Sequence, residues 1–318
     1  MREQFIVEES GRLDKVMSTY LSQSRNQVEK LIKEGLVSVD DRVVVKPSFK
    51  VSMDNTISYE FKEAEVQEAV EIDFDVEVLY EDDDILVINK PSGLVVHPAP
   101  SVKEATLVDW LKARGISLST ISGEERHGIV HRIDKETTGA LVVAKNNEAH
   151  QKLSEQLQDK SMGRYYLAII DYPLKDETIV EQPIGRNPNN RLKMGVNMHG
   201  KEAKSAFVKL ISGKNDLELI GAKLYTGRTH QIRVHLNHLG RHIVGDDLYG
   251  FKSKKDKMFR VQLHAYLLYL MHPVSGEKIE VVAPLFDDML ALLSSNFDQN
   301  EFQQVLDSQF LIDKFYKV

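Results

Sequence analysis

The 318-residue chain has no cysteine, which excludes disulfides and thiolate-ligated metals outright. A reducing compartment fits that absence. Long apolar runs are missing as well. The longest clean one, Ala265 to Met271, falls far short of the ~20 residues that a membrane span needs. The N-terminus opens Met-Arg-Glu-Gln and is acidic by residue 10, without the apolar core of a signal sequence. There is no Gly-rich phosphate loop, no dinucleotide fingerprint and no internal repeat. A soluble cytoplasmic protein is expected. What remains is ordinary for a globular fold, 42% hydrophobic and 28% charged, and the length suits about two domains.

The net charge of −7 argues, taken alone, against a nucleic-acid partner. Its distribution reverses that impression. Residues 60–84 hold twelve acids and one base, so this window carries −11 and the remainder +4. Residues 11–50 carry +3, and residues 221–260 carry +6 with four histidines in addition. Local basic surface is what phosphate contact requires, although a charge cluster can equally be a solvated face.

Hydrophobic spacing divides the chain. A short helix starts near Gly11–Met17, and a second follows Ser24, which suits an N-cap, with Val28, Leu31 and Ile32 at helical spacing and Gly35 as its stop. Leu36–Val39 and Arg42–Val45 flank Asp40-Asp41 and predict a hairpin. This module, residues 1–62, carries Arg12, Lys15, Arg25, Lys30 and Lys33 on or beside its helices. The acidic stretch 63–75 is expected to be a self-repelling linker. Beyond it, strands are predicted at 76–80, 85–89, 94–96, 139–145, 165–170, 203–211, 217–224 and 278–283, and helices at 107–113, 149–158, 232–239 and 286–295. Strands outnumber helices without alternating with them, which favours an α+β fold with a mixed sheet over a doubly wound one. A tail from 291 to 318 has apolar residues at helical spacing.

Four segments could carry chemistry. Gly128-Ile-Val-His131-Arg132-Ile-Asp134-Lys-Glu-Thr137-Thr138-Gly139 is a polar loop running into a buried strand, a common place for a catalytic residue, although Asp134 could simply cap backbone amides there. Gly227-Arg228-Thr-His230-Gln-Ile-Arg233-Val-His235 bunches basic groups that an anion would neutralise, or forms a helix with one basic face. In Arg164-Tyr165-Tyr166, adjacent strand residues point to opposite faces, so one tyrosine can be core and the other can stack on a flat ligand. His235, His238 and His242 are read as one helical stretch near Asp246 and Asp247. Without Cys or a His-Glu-x-x-His pattern, phosphate contacts or helix ends account for these histidines, and no metal is expected.

Together these segments resemble the RluA family of RNA pseudouridine synthases. The resemblance rests on Asn89-Lys90-Pro-Ser-Gly93-Leu-Val-Val-His97-Pro, on His131-Arg132-Ile-Asp134 with Thr137-Thr138-Gly139, on Arg164-x-Tyr166-x-Ala168, and on Gly227 to His235. His264-Ala265, His272-Pro-Val-Ser-Gly-Glu277 and Ala283-Pro-Leu285 add to it, over residues 76–290. The N-terminal module resembles the S-four RNA-binding domain through Arg12-Leu-Asp14, Ser24-Arg25, Lys30-Leu-Ile32, Gly35, Val37 and Val39. It departs at the hairpin turn, Asp40-Asp41-Arg42 where that family usually has Asn-Gly-Lys. An S-four module ahead of an RluA-type domain is the arrangement of the RluD group, whose substrate is large-subunit ribosomal RNA.

The resemblance implies a small helix-helix-sheet RNA-binding domain followed by a mixed, mainly antiparallel β-sheet catalytic domain that isomerises uridine to pseudouridine. It implies Asp134 as the catalytic carboxylate, with Arg233 as the guanidinium that keeps it ionised in a dry pocket. Tyr166 would stack on the base, and Arg132 would fill the space a flipped uridine vacates or hold its phosphate. Arg12, Ser24, Arg25, Lys30, Lys33, His131 and Arg228 would contact RNA, with Lys252, Lys254, Lys255 and Lys257 as further backbone contacts. Isomerisation involves neither redox nor phosphoryl transfer, so no cofactor is expected. The expected partner is large-subunit ribosomal RNA, free or in an assembling particle, with the protein a monomer. Three rivals are set against this: a non-catalytic RNA-binding assembly factor, a nucleoside hydrolase and a small-molecule enzyme. The intact Asp134, Tyr166 and Arg233, the lack of a second acid to activate water, and the basic N-terminal module argue against each in turn.

Overall fold

The computed structural model describes residues 2–21, 25–61, 71–98, 102–116, 118–119, 128–250, 260–316 and 318. Ser24, the first part of the expected linker and the Lys252–Lys257 group lie outside these residues. The chain forms two compact units, 1–69 and 70–318. No helix among the described residues is long and apolar enough to cross a membrane.

The first unit runs β1 (Arg2–Ile6), β2 (Gly11–Arg12), α1 (Leu13–Leu21), α2 (Arg25–Lys33), β3 (Val37–Val39), β4 (Arg42–Val43), β5 (Lys50–Val51) and β6 (Thr56–Glu60). An antiparallel sheet ordered β1-β6-β3-β4 shares one core with both helices: Leu13 and Met17 of α1, Val28 and Ile32 of α2, and Val37 and Ile57 of the sheet. Gly35, at φ +75°, ends α2 in the left-handed conformation, and the Leu36 N–H bonds back to the Leu31 carbonyl. The Asp40-Asp41 turn holds both residues at positive φ, 48° and 64°, as a two-residue hairpin of the type I′ kind demands. The Asp40 carboxylate accepts hydrogen bonds from the Thr56 N–H (2.8 Å) and Asn55 Nδ2 (2.6 Å), which ties this turn to the start of β6.

The second unit continues with β7 (Glu77–Glu81), β8 (Ile85–Lys90), α3 (Leu107–Ala113), β9 (Thr138–Ala144), α4 (Asn147–Asp159), β10 (Gly163–Asp171) and β11 (Thr178–Glu181). It then runs through β12 (Ile184–Arg186), β13 (Met194–Val196), β14 (Lys204–Ser212), β15 (Leu217–Leu224), α5 (Gln231–His238), β16 (His242–Ile243), β17 (Leu263–Met271) and β18 (Lys278–Val282). Three helices close it: α6 (Asp287–Asn296), α7 (Gln299–Val305) and α8 (Ser308–Phe315). The large sheet is ordered β11-β14-β15-β10-β17-β9-β8-β7, with β16 beside β10 and β18 beside β17. Its pairs are antiparallel except β9 with β17, so the sheet is mixed and the fold α+β.

Period-two alternation along β10 separates two cores. Tyr166, Ala168 and Ile170 face α3 and α5, while Tyr165, Leu167 and Ile169 face α6, α7 and α8. The tail is therefore part of the second unit's core, through Leu293, Phe302, Leu311 and Phe315, and the expected boundary at 290/291 falls inside α6. At the other end Ile72 and Phe74 pack on the same unit, and Trp110 Nε1 donates to Asp75 (3.2 Å), so the last residues expected as linker are anchored. Leu94–Val96 is not a strand. The Val95 and Val96 carbonyls accept the first N–H groups of α3, from Leu107 (2.9 Å) and Val108 (3.2 Å). A helix N-terminus thus satisfies this apolar run that a sheet would otherwise claim. His242 lies in β16 and not on the helix with His235 and His238.

Candidate active site

The site sits where three chain segments meet at one end of the large sheet: the loop entering β9, the start of β10, and the turn entering α5. They line an open cleft whose walls include Arg132, Asp134, Arg164, Tyr166, Arg228 and Arg233.

The loop before β9 is held from below. Gly139 has φ +109°, and a Cβ there would meet the Ala265 carbonyl oxygen at 2.3 Å, so only glycine lets β9 pair this closely with β17. Lys90, fully buried at the end of β8, donates to the carbonyls of Pro91 (2.7 Å), Leu94 (2.9 Å) and Lys135 (2.9 Å). Burial pulls this ammonium down to about 7, but three carbonyls taking three N–H groups favour the charged form. The Gly93 N–H also reaches the Lys135 carbonyl (3.0 Å). Asp134 is thereby presented on a loop fastened at its very next residue.

Asp134 is 18% exposed and meets Arg233 Nη1 at 3.4 Å. Arg233, on the first turn of α5 and only 6% exposed, is itself clamped: its Nε and Nη2 donate to the two carboxylate oxygens of buried Asp246 at 2.7 and 2.8 Å. The Tyr249 ring lies 5.0 Å from the guanidinium carbon, and the Tyr249 N–H donates to Asp246 (3.2 Å). The Tyr249 hydroxyl accepts the Met194 N–H (2.8 Å) and meets His230 Nδ1 (2.8 Å), which ties the β12–β13 hairpin to this wall. His230 itself takes the left-handed conformation, φ +58°, just before α5. Gln231 sets the turn: its Oε1 accepts from Thr226 Oγ1 (2.7 Å) and the Arg228 N–H (2.9 Å), and its Nε2 donates to the Lys204 carbonyl (3.0 Å) and Ser205 Oγ (2.8 Å).

Tyr166 is 3% exposed and lines the cleft, with its phenol's pKa raised by burial. Arg132 is exposed at the cleft, and Arg228 is half-buried with its Nε donating to the Glu202 carbonyl (2.9 Å). His131, expected at the RNA, turns inward: its Nε2 accepts the Val142 N–H (3.2 Å) and its Nδ1 faces Arg164 Nη1, which leaves neither nitrogen for RNA. Burial pushes this imidazole far below its ordinary pKa, so it is neutral.

In the first unit, Arg12 and Arg25, each about half exposed, converge on one carboxylate. Arg12 donates two hydrogen bonds to fully buried Asp14 (3.0 and 2.8 Å), and Arg25 donates one (2.6 Å). Lys33 pairs with Glu29 along α2 (3.0 Å), and Lys30 is exposed on the same helix.

The residues that sequence reasoning left without a role are Asp246, Tyr249, Gln231 and Lys90. Only burial identifies them, since each looks like an ordinary polar residue in the chain. One cluster resembles a metal site: Asp82, Asp84 and His272 bring ligand atoms within 4.8 Å of one another. However, His272 Nδ1 accepts the Val274 and Ser275 N–H groups, so Nε2 carries the proton and donates it to Asp82 (2.9 Å). An N–H cannot ligate a metal, and this group instead fastens the β17–β18 turn to the β7–β8 turn.

Comparison with known proteins agrees with this arrangement. Residues 84–238 match the RNA pseudouridylate synthase family, and residues 11–57 match the S4 domain. The chain is 47% identical, over 96% of its length and 95% of the relative's, to an uncharacterized RNA pseudouridine synthase of Helicobacter pylori. It is 38% identical, over 89% of its length and 84% of the relative's, to the ribosomal large subunit pseudouridine synthase D of Nitrosomonas europaea. Among solved structures, human RNA pseudouridylate synthase domain containing 1 superposes with a TM-score of 0.57 at 26% identity, covering 74% of this chain and 95% of that one. With its S4 domain ahead of the catalytic unit, the chain belongs to the RNA pseudouridine synthases, in the RluA family.

Proposed function

We propose that the protein isomerises specific uridines of large-subunit ribosomal RNA, with Asp134 as the catalytic carboxylate. The observation that carries this is the 3.4 Å contact between Asp134 and the clamped Arg233, in a cleft shared with Tyr166. The names of relatives such as the Nitrosomonas europaea enzyme support ribosomal RNA as the substrate. The target uridine leaves its stack at a cost of a few kcal/mol and enters the cleft. Tyr166 stacks on the base and excludes water. Arg132, at the mouth, takes the vacated space or holds the phosphate, and Arg228 holds the backbone beside it. Asp134 acts on the ribose as the glycosidic bond breaks. A single carboxylate suits isomerisation, because no water needs activating. The exposed edges of Arg12 and Arg25, with Lys30, grip RNA through the first unit. The protein works as a cytoplasmic monomer on free RNA or on an assembling particle, without a cofactor.

The test is incubation with large-subunit ribosomal RNA, followed by carbodiimide-block primer extension. New stops are expected with the wild type and none with Asp134→Asn, while RNA affinity stays within about twofold. Stops that persist in Asp134→Asn would overturn the assignment of Asp134. A wild type without stops on this RNA would overturn the substrate.

A further inference from the structure

Arg164 is the second residue of β10, on the same face as Tyr166 two residues later, and lines the cleft with Asp134. It is 7% exposed. Among the described residues no carboxylate pairs with it, and its Nε is buried without a hydrogen-bond partner. Its one hydrogen-bond partner among the described residues is the His131 ring, which already accepts the Val142 N–H through Nε2. A neutral imidazole has one acceptor nitrogen and here faces two donors, so the guanidinium stays under-satisfied. Arg233 has Asp246 and Asp134, and Arg228 has the Glu202 carbonyl. Buried charges are normally paired, because an isolated one is costly. A buried cation left without an anion in an active-site wall is built for an anion that arrives with the substrate.

We infer that Arg164 receives the negative charge that develops on the uracil ring when the glycosidic bond breaks. The inference rests on the cleft being the site of isomerisation. Breaking C1′–N1 leaves the electron pair on the base, which becomes a monoanion with its charge spread over N1, O2, O4 and C5. The pair at C5 then forms the new bond to C1′, the C5 hydrogen departs as a proton, and N1 gains one. Atoms and electrons balance without oxidant, reductant or co-reactant. The RNA phosphate is the other anion available, and burial decides between them. Arg132 is exposed and Arg228 half-buried, at the height where the backbone stays, whereas Arg164 lies deep, beside Tyr166, where only the base goes. A preorganised donor aimed at developing charge in a water-poor site acts on the transition state more than on binding.

The experiment compares Arg164→Met with wild type under single turnover, on RNA carrying uridine and on the same RNA carrying 5-fluorouridine at the target. The readout is C1′–N1 cleavage, with RNA affinity measured in parallel. Fluorine makes the departing ring more acidic, so it needs less help from a cation. The expected result is a loss of about 100-fold in rate on uridine RNA, a markedly smaller loss on 5-fluorouridine RNA, and unchanged affinity. An equal loss on both bases, or a loss that appears as weaker binding, would overturn the inference in favour of a phosphate grip or a structural role. If Arg164→Met does not fold, Arg164→Gln is measured in its place with the same two outcomes. A wild type inactive on both RNAs overturns the reading of the site itself; an active wild type with an insensitive variant overturns only the inference about Arg164.

Discussion

Asp14 is a carboxylate with no exposed surface that holds two half-exposed guanidiniums, and its charge depends on them. The Arg12 hydrogen bonds, outweighing desolvation, hold its pKa down at about 2. The folded pKa lies below the unfolded one, near 3.9. The resulting stability is therefore complete above about pH 4 and is lost as pH falls through about 2. Because both arginine heads are half exposed, solvent reduces it to the order of 1 kcal/mol. Asp14→Asn should cost that much at pH 7, and the gap from wild type should close as pH falls from about 4 to about 2, as followed by denaturant melts. A gap that stays constant with pH would contradict this. The same ion triad fixes the direction of the two arginines for which RNA contact is proposed. Arg233 repeats the device in the second unit, where buried Asp246 holds the guanidinium that meets Asp134.

At the scale of elements, the loop that carries Asp134 is placed by strand pairing more than by its own residues. β9 is the strand that runs parallel to β17, and Gly139 makes their approach possible. Gly139→Ala adds a methyl where the Ala265 backbone already stands, at a φ that alanine resists. It is expected to destabilise the second unit by more than about 2 kcal/mol in urea melts and to lower turnover by moving Asp134. A melt within about 0.5 kcal/mol of wild type, the size of an ordinary surface change, would refute the close-approach argument. β10 shows how alternation serves function: one face offers Arg164 and Tyr166 to the cleft, while Tyr165 packs on Phe315 of α8 (ring centroids 5.1 Å apart). Alternation is local, so the sequence put the adjacent tyrosines on opposite faces, but which face meets the cleft was decided by the packing of the sheet. The pairing of Val95 and Val96 with the start of α3 could not be read from sequence, because it depends on where that helix docks.

At the scale of the whole molecule, the S4 match and the synthase match fall in different units, so the RNA contacts proposed for the first unit can be tested apart from the chemistry proposed for the second. Arg12→Gln and Arg25→Gln should each flatten the salt dependence of RNA affinity, by about 0.7–0.9 in log–log slope for every phosphate that the arginine neutralises. The single-turnover rate at saturating RNA should not change. Filter binding across a salt series checks the first point and rapid quench the second, and an unchanged slope would remove the first unit from the RNA interface. The distribution of charge has the same logic. The acidic window 60–84 accounts for the negative total, so the whole-chain sum says little about either unit's surface.

Local order in the chain was enough to determine most helices and strands, the two-unit division, the I′-type hairpin position and the family. The family resemblance carried by those runs of residues, and not their spacing alone, pointed to Asp134, Tyr166 and Arg233 as site candidates. Tertiary structure alone decided who partners whom. It made Asp246 and Tyr249 the holders of Arg233, sent His131 inward, put His242 in a strand beside β10, and drew the tail into the sheet's core. It also left Arg164 buried with no carboxylate partner among the described residues. The reason is physical: periodicity and capping act over a few residues, whereas burial, hydrogen bonding and ion pairing join groups far apart in the chain, 99 residues for Asp134 and Arg233 and 190 for Asp82 and His272, and such pairing exists only once the sheet has closed.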